Sequence, residues 1–560
     1  MSAAATASNG CEYSCLSNPE ARNLEPGSRP FIHPGATRVC IQPAQALLGI
    51  ELVLQKYAED ETLKPQRLSN AYLHAFTKLM MTFYRVSRSR GVLLLVVFAA
   101  LTIGAHPARS QSAPGTEPPA APTPQPNNQE GFLKRLMDFY RADWSGTASS
   151  GPAAPRRAVP SPLNSPPFPS ADWSYGGSPT IGESDGNIYP LQTAINGATG
   201  HTKVYGWVEP TGNLSTSRNR NYPETNDIYS NRVELGQAVV YVERLPDSVE
   251  RKHVDWGFHL TGFFGTDYRS TTNKGYFSSQ LLDHDRQYGF DPVLEYVDVY
   301  FPGVARGMNL RAGRYISIPG IEAQLTPNNY MFSHSLLYAV DPFTDTGILA
   351  TIQLNDRWTV QAGLSASHDV APWTPDAKPA FTGCASYTTT SVNDNFYLCA
   401  NGINDGEYAF NNLQMYDGTW YHKFGSTWHM ATETYSMYQR DVPSVNGTIM
   451  PEKGTNGANC RPGEQRCLAP EWAAVNYLNK QLSPHRFISF RSDLLNDKKG
   501  QRTGYATKYT EGTLALSNWI GNTVQIRPEI RFDHAWDRRA YDLGTRTNQF
   551  TVASDLIFHF

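Results

Sequence analysis

The densest charge chemistry in the chain lies between Thr523 and Trp536. One parity reads Val524, Ile526, Pro528, Ile530, Phe532, His534, Trp536, and the other reads Thr523, Gln525, Arg527, Glu529, Arg531, Asp533. In an extended strand alternate residues share a face, so two cations and two anions stand side by side. Arg491 and Asp493 repeat the pattern on the preceding hairpin, and Asp298 and Arg311 extend the set. Both signs occur in similar number. A surface of this kind favours hydrated neutral or zwitterionic solutes over ions of one sign; alternatively, its charges pair with each other and stiffen the structure. Neither use involves bond breaking. No H-E-x-x-H or G-x-x-x-x-G-K-[ST] pattern occurs. His534, beside Trp536, is the one residue worth weighing as a catalytic base, and an aromatic interfacial band is its simpler setting.

Two further groups carry chemistry. The segment Ser317 to Thr346 is long and apolar for a surface loop, and it holds Glu322, Tyr330, His334 and Tyr338. It can fold inward and narrow a passage, with aromatics against the wall and polar groups at the waist, or it can cap the exterior or form a subunit contact. Cys384 and Cys399 flank a short connection, which places them on adjacent antiparallel strands within reach of a cross-strand disulfide. Cys460 and Cys467 bracket RPGEQR and can staple a loop. Their spacings match no zinc pattern, so no metal or other cofactor is expected. With a net charge of -3 and a pI near 6.5 the chain lacks the basic face a nucleic-acid partner needs.

The elements that position these groups follow from recurrent period-two alternation beyond Thr202. Val254, Trp256, Phe258 and Leu260 alternate with Asp255, Gly257, His259 and Thr261; Trp358, Val360, Ala362 and Leu364 alternate with Thr359, Gln361, Gly363 and Ser365. Such runs begin near Lys203, Val233, His253, Glu295, Met308, Gly347, Arg357, Ala380, Asn395, Asn411, Thr427, Glu471, His485, Tyr505, Asn522 and Asn548. That makes about 16 strands, at roughly 22 residues per strand and connection, which suits membrane-spanning strands of about ten residues. Short connections such as Pro302 to Gly307 and Asn355-Asp356 alternate with long ones such as Ser270 to Leu294 and Val442 to Pro470. Outer-membrane barrels segregate short periplasmic turns from longer external loops in this way, whereas a soluble sandwich has no reason to. The last run puts Phe550, Val552, Leu556, Phe558 and the terminal Phe560 on one parity. That ending resembles the signal by which barrel-assembly machinery recognises its clients. The expected fold is therefore all-β: a transmembrane antiparallel up-and-down barrel over residues 202–560, apolar parity to lipid and lipopolysaccharide, polar parity to water.

A polytopic helical protein is excluded by a mean hydropathy of -0.44 and a single apolar run. That run, Gly91 to Ala105, follows Arg85, Arg88 and Arg90 and precedes Ala108-Arg109-Ser110. These are the three parts of a secretory signal peptide, assigned to residues 80–110 with cleavage after Ser110. A signal peptide opens its chain, so the pair Met80-Met81 points to a start site there, and residues 1–79 then carry no function; a cytoplasmic extension that delays export is the alternative. Removing that segment takes Cys11, Cys15 and Cys40 with it and leaves the other four cysteines for two disulfides. Residues 111–201 read as a Pro-rich periplasmic linker. Within it, residues 131–144 (GFLKRLMDFYRADW) place apolar side chains on one side at helical spacing. This segment is either a small packing helix or one that lies at the membrane interface or plugs a channel mouth.

Several stretches resemble a known family: YGWVEPTGNLSTS from Tyr205, VELGQAVVYVERLPDSVE from Val233, DWGFHLTGFFGTDYR from Asp255, GRYISIPGIEAQLTPNNYMFSHSLLY from Gly313, APEWAAVNYLNKQ from Ala469 and GQRTGY from Gly500. They resemble the OmpL-like putative β-barrel porin family over about residues 200–560. The resemblance implies an outer-membrane channel, and it brings no catalytic residues. The expectation is then a porin passing small polar solutes through a water-filled, mixed-charge lumen lined by Arg527, Glu529, Arg531, Asp533, Arg491, Asp493, Asp298 and Arg311. Trimerisation is expected by analogy with other porins. A surface adhesin or receptor barrel, and an outer-membrane barrel hydrolase, are the rival classes.

Overall fold

A computed structural model describes residues 131–145, 190–196, 201–248, 252–318, 320–391, 393–425, 427–445, 457–483 and 485–560. The readings made for residues 1–110 and for the Pro-rich stretches 111–130 and 146–178 lie outside them. Among the described residues, two short helices, α1 (Phe132–Trp144) and α2 (Pro190–Asn196), precede sixteen strands. These are β1 (Thr202–Ser215), β2 (Val233–Arg244), β3 (Asp255–Gly265), β4 (Gly289–Phe301), β5 (Met308–Ile316), β6 (Thr344–Gln353), β7 (Trp358–His368) and β8 (Ala380–Thr388). The second half comprises β9 (Asp394–Ile403), β10 (Gln414–Lys423), β11 (Trp428–Pro443), β12 (Arg466–Ser483), β13 (Arg486–Asp497), β14 (Thr507–Ile520), β15 (Val524–Ala535) and β16 (Asn548–His559).

Each strand pairs antiparallel with its sequence neighbours, and β1 pairs with β16 to close the ring. Closure matters because a strand edge left open in lipid would carry unpaired backbone groups. At the seam Trp207 lies opposite His559, and the terminal Phe560 exchanges two 2.9 Å hydrogen bonds with Gly206. The Phe560 ring also lies over Gly206, where an added Cβ would come within 2.9 Å of it. The connections 245–254, 302–307, 354–357, 389–393, 424–427, 484–485 and 521–523 lie at the end of the barrel where the chain terminates, and all but the first are of six residues or fewer. Those at the opposite end, from 216–232 to 536–547, run to nine residues or more.

Burial follows parity and is inverted relative to a soluble protein. On β15 Gln525, Arg527, Glu529, Arg531 and Asp533 are all buried, while the outward Phe532 is 50 % exposed. Phe490 and Leu364 are likewise exposed on the outer wall. An apolar exterior around a polar interior is the arrangement lipid imposes.

Two strands begin five or more residues earlier than the alternation suggested. β4 starts at Gly289 rather than near Glu295, because Asp291 and Pro292 resemble a turn in sequence. Here Asp291 is buried against Arg314 (2.6 Å), and Pro292 lies within an irregularity between the pairs Thr261 to Leu294 and Phe263 to Asp291. A bulge is where a strand tolerates a residue that cannot donate. β12 starts at Arg466 rather than near Glu471, which puts Cys467 on the strand and leaves Cys460 in the preceding loop.

Candidate functional site

Segment 317–343, between β5 and β6, turns into the barrel. Ile318, Ile321, Leu325, Met331, Leu336 and Leu337 are each at most 1 % exposed. Ile318 and Leu325 pack with Tyr241, Phe263 and Leu349, whereas the other four are covered by the inner face of β10 to β14, which on this side is not uniformly polar. Met415, Tyr421, Ala431, Tyr435, Val475 and Tyr477 form one cluster with the loop's apolar residues. The loop is apolar because it packs on an apolar sector of wall.

A loop inside a barrel must find partners for its backbone amides and carbonyls, since an unpaired buried group costs about 1–3 kcal/mol. The charged wall supplies them. Arg491 Nη1 donates to Ser333 O (2.5 Å), Arg531 Nη1 to His334 O (2.6 Å), and Arg527 Nη1 to Thr326 O (3.1 Å) and Asn329 O (2.9 Å). Carboxylates take the amides: Ser333 N donates to Glu529 (3.1 Å), Leu336 N to Asp493 (2.7 Å) and Ile321 N to Glu433 (2.7 Å). Beyond the closure seam Gln237 of β2 donates to Gln324 O (2.9 Å), and Glu209 of β1 accepts from the Thr326 hydroxyl (3.0 Å).

Each arginine also faces an acid along the wall. Arg491 meets Glu511 (3.0 Å), Arg531 meets Asp533 (2.8 Å), and Arg527 is bonded to Asp555. A buried ion pair survives only when its remaining donors are satisfied, and the loop carbonyls do that here. Of the eight wall charges singled out from sequence, six lie within this network. Asp298 and Arg311 lie elsewhere, as directly opposed residues of β4 and β5 joined by two 2.9 Å bonds, with the guanidinium 3.6 Å from the Tyr296 ring centroid.

The four loop residues fall into two groups. Glu322 Oε1 accepts from Ser335 N (2.9 Å) and the Tyr477 hydroxyl (2.8 Å), and lies 3.3 Å from His334 Nδ1. Burial opposes its ionisation, but His334, the Arg491 charge and the Ser335 hydroxyl outweigh that and hold the carboxyl at about 2. Burial pushes the His334 imidazole below its ordinary value. Its ring stacks on Tyr338 with centroids 3.9 Å apart. Tyr330 is separate: its ring lies 5.4 Å from Tyr477 and its hydroxyl 3.2 Å from His429 Nε2.

Cys384 and Cys399 are directly opposed on β8 and β9 and disulfide-bonded, as are Cys460 and Cys467. Glu464 lies near the second pair, but sulfurs joined to each other are not thiolate ligands. His534 lies on the outer wall, its ring edge-on to Trp536 at 4.6 Å and bonded to Asn548.

With the closed ring and the inward loop in place, the comparison with known proteins is direct. The family described as "Putative beta-barrel porin-2, OmpL-like" matches residues 201–560, the whole barrel. The chain belongs to this porin family. Its place is the bacterial outer membrane. Among solved structures the porin is similar to an anion-selective porin from Comamonas acidovorans, at 10 % identity and TM-score 0.42, over 64 % of this chain and 99 % of that one. The outer-membrane channel DcaP of Acinetobacter baumannii matches at 7 % identity and TM-score 0.40, over 64 % and 97 %. OmpF of Salmonella typhi, in complex with daunomycin, matches at 9 % identity and TM-score 0.41, over 64 % and 97 %. No curated protein matches the chain.

Sequence reasoning missed half of the porin's loop seat. Glu209, Gln237, Glu433, Tyr477, Glu511 and Asp555 were detectable as inward-parity residues, but nothing local distinguishes them from other inward residues.

Proposed function

We propose that this porin passes small hydrophilic solutes by passive diffusion, with segment 317–343 as the constriction that sets their size. The observation that carries the reading is the inward course of this segment, pinned to a wall of both charge signs. Arginines that each bond a carboxylate and a loop carbonyl act first as scaffold. Discrimination then rests on the width beside the loop more than on a single-signed ring. Asp298 and Arg311, buried against each other, likewise stiffen the wall and add no net sign to it. Passage involves neither turnover nor a cofactor.

In this reading the outer wall contacts membrane lipid and lipopolysaccharide, barrel-assembly machinery engages the terminal strand through Phe560, and the working unit is a homotrimer. Reconstitution into planar bilayers tests the channel: stepwise ion conductance is expected. Liposome swelling with graded sugars and amino acids tests the sieve. Influx should fall steeply with solute size, and absence of size-dependent influx would overturn the proposal.

A further inference from the structure

Helix α1 carries more apolar surface than its seat on the barrel uses. The seat is polar and specific. Tyr140 donates its hydroxyl to His559 O (3.0 Å), and Trp144 Nε1 donates to Thr523 Oγ1 (2.9 Å). Asp143 accepts from Asn522 N and Thr523 Oγ1, each at 2.8 Å. These contacts fasten α1 to the rim where β14 turns into β15 and where the chain ends. That is the short-turn end, the periplasmic one in an outer-membrane barrel.

The helix lies against the outside of the wall at this rim. Tyr140 stacks on Phe558 with centroids 5.3 Å apart, and Phe558 shares the outward parity of Val552 and Leu556. At 3.6 residues per turn, Leu133, Met137 and Trp144 fall beside Tyr140 within about 60° of arc. They are 72 %, 50 % and 51 % exposed. Next around the helix come Arg141 and Lys134, both paired with Asp138 at 3.1 and 2.8 Å. The far side is held by α2, where Arg135 Nε donates to Ala194 O (3.0 Å).

We propose that α1 is an interfacial helix embedded in the periplasmic leaflet of the outer membrane. Its Leu133, Met137 and Trp144 stripe lies among phospholipid acyl chains, and its Lys134, Asp138 and Arg141 row lies at headgroup level. Continuity carries the inference: the exposed stripe adjoins Tyr140, Tyr140 covers Phe558, and Phe558 belongs to the wall that lipid already wets. An amphipathic helix with a cationic border is the form that settles at this depth. Trp144, with its ring exposed and its N–H bonded to the barrel, suits the interface where one end is apolar and the other wet.

The test is photo-crosslinking of the whole protein in vesicles of phosphatidylethanolamine and phosphatidylglycerol. p-Benzoylphenylalanine is placed singly at Leu133, Met137 or Asp138, with Leu556 on the outer barrel wall as positive control. Adducts are identified by mass spectrometry. Phospholipid adducts at Leu133 and Met137 should approach the yield at Leu556 and exceed that at Asp138 severalfold. Equal yields at Met137 and Asp138, or adducts at Leu133 and Met137 to protein in place of lipid, would overturn the assignment. Since α1 lies outside the barrel wall, a heat-modifiable gel shift confirms that each labelled barrel is folded before its yield is counted.

Discussion

At the scale of single residues, the charges of this porin act as fasteners. Arg491, Arg527 and Arg531 each divide their donors between a wall carboxylate and a loop carbonyl, and charge-assisted bonds of this kind are the stronger class. Glu322 is the loop's own contribution, and its titration gives a prediction with a definite sign. Its carboxyl sits at about 2, below the ordinary 4.5, so the folded loop binds the anion in preference to the acid. The stabilisation is fully present above about pH 4.5 and is lost as pH falls toward about 2, with a ceiling on the order of 3 kcal/mol. Single-channel current noise from loop motion should therefore rise as pH is lowered from about 5 toward about 3. Glu322→Gln should be noisier than wild type at neutral pH and should lack most of the further rise. A variant as quiet as wild type at neutral pH would show that this carboxylate does not hold the loop.

At the scale of elements, the turn at 521–523 joins the barrel to α1. Gly521 has φ +59°, and an added Cβ would lie 2.2 Å from an Asp143 oxygen, so backbone conformation and close approach both require glycine. Gly521→Ala should release α1 and leave the barrel closed. Trypsin should then cut at Arg135 and Arg141 severalfold faster, with an unchanged heat-modifiable gel shift; unaltered cleavage would mean that Asp143 does not anchor the helix. The strands themselves were legible because an alternating pattern survives wherever one face meets lipid and the other does not. All sixteen were detected, and the errors fell at their ends: Asp291-Pro292 and the stretch from Arg466 to Pro470 carry turn residues inside strands. Pairing around the closure seam was not legible. Glu209 of β1 and Arg527 of β15 approach to 4.0 Å across the intervening β16 although hundreds of positions separate them in the chain, and neither residue's neighbours encode that meeting. The same holds for the apolar inner sector formed by Met415, Tyr435 and Val475, which single-strand alternation assigns to water and the loop covers.

At the scale of the whole molecule, two layers of organisation can be separated. Ring closure depends on backbone pairing from β1 around to β16, which makes no use of the loop, whereas the narrowness of the passage depends on the loop's packing inside. Replacing residues 320–340 by a short Gly-Ser linker should therefore leave the gel mobility of the folded barrel intact while raising unitary conductance severalfold. It should also extend the size limit for sugars in liposome swelling. Removal has a cost: Met415, Tyr421, Tyr435 and Tyr477 lose their apolar cover, and Arg491, Arg527 and Arg531 lose loop carbonyls. The three arginines keep Glu511, Asp555 and Asp533 as partners and regain water, so the charged sector should tolerate excision better than the apolar one. Tyr435→Ser and Met415→Ser in the shortened protein should then recover part of any lost thermal stability. If the excised barrel conducts no better than the parent, the constriction lies elsewhere and the loop's inward course serves the fold alone.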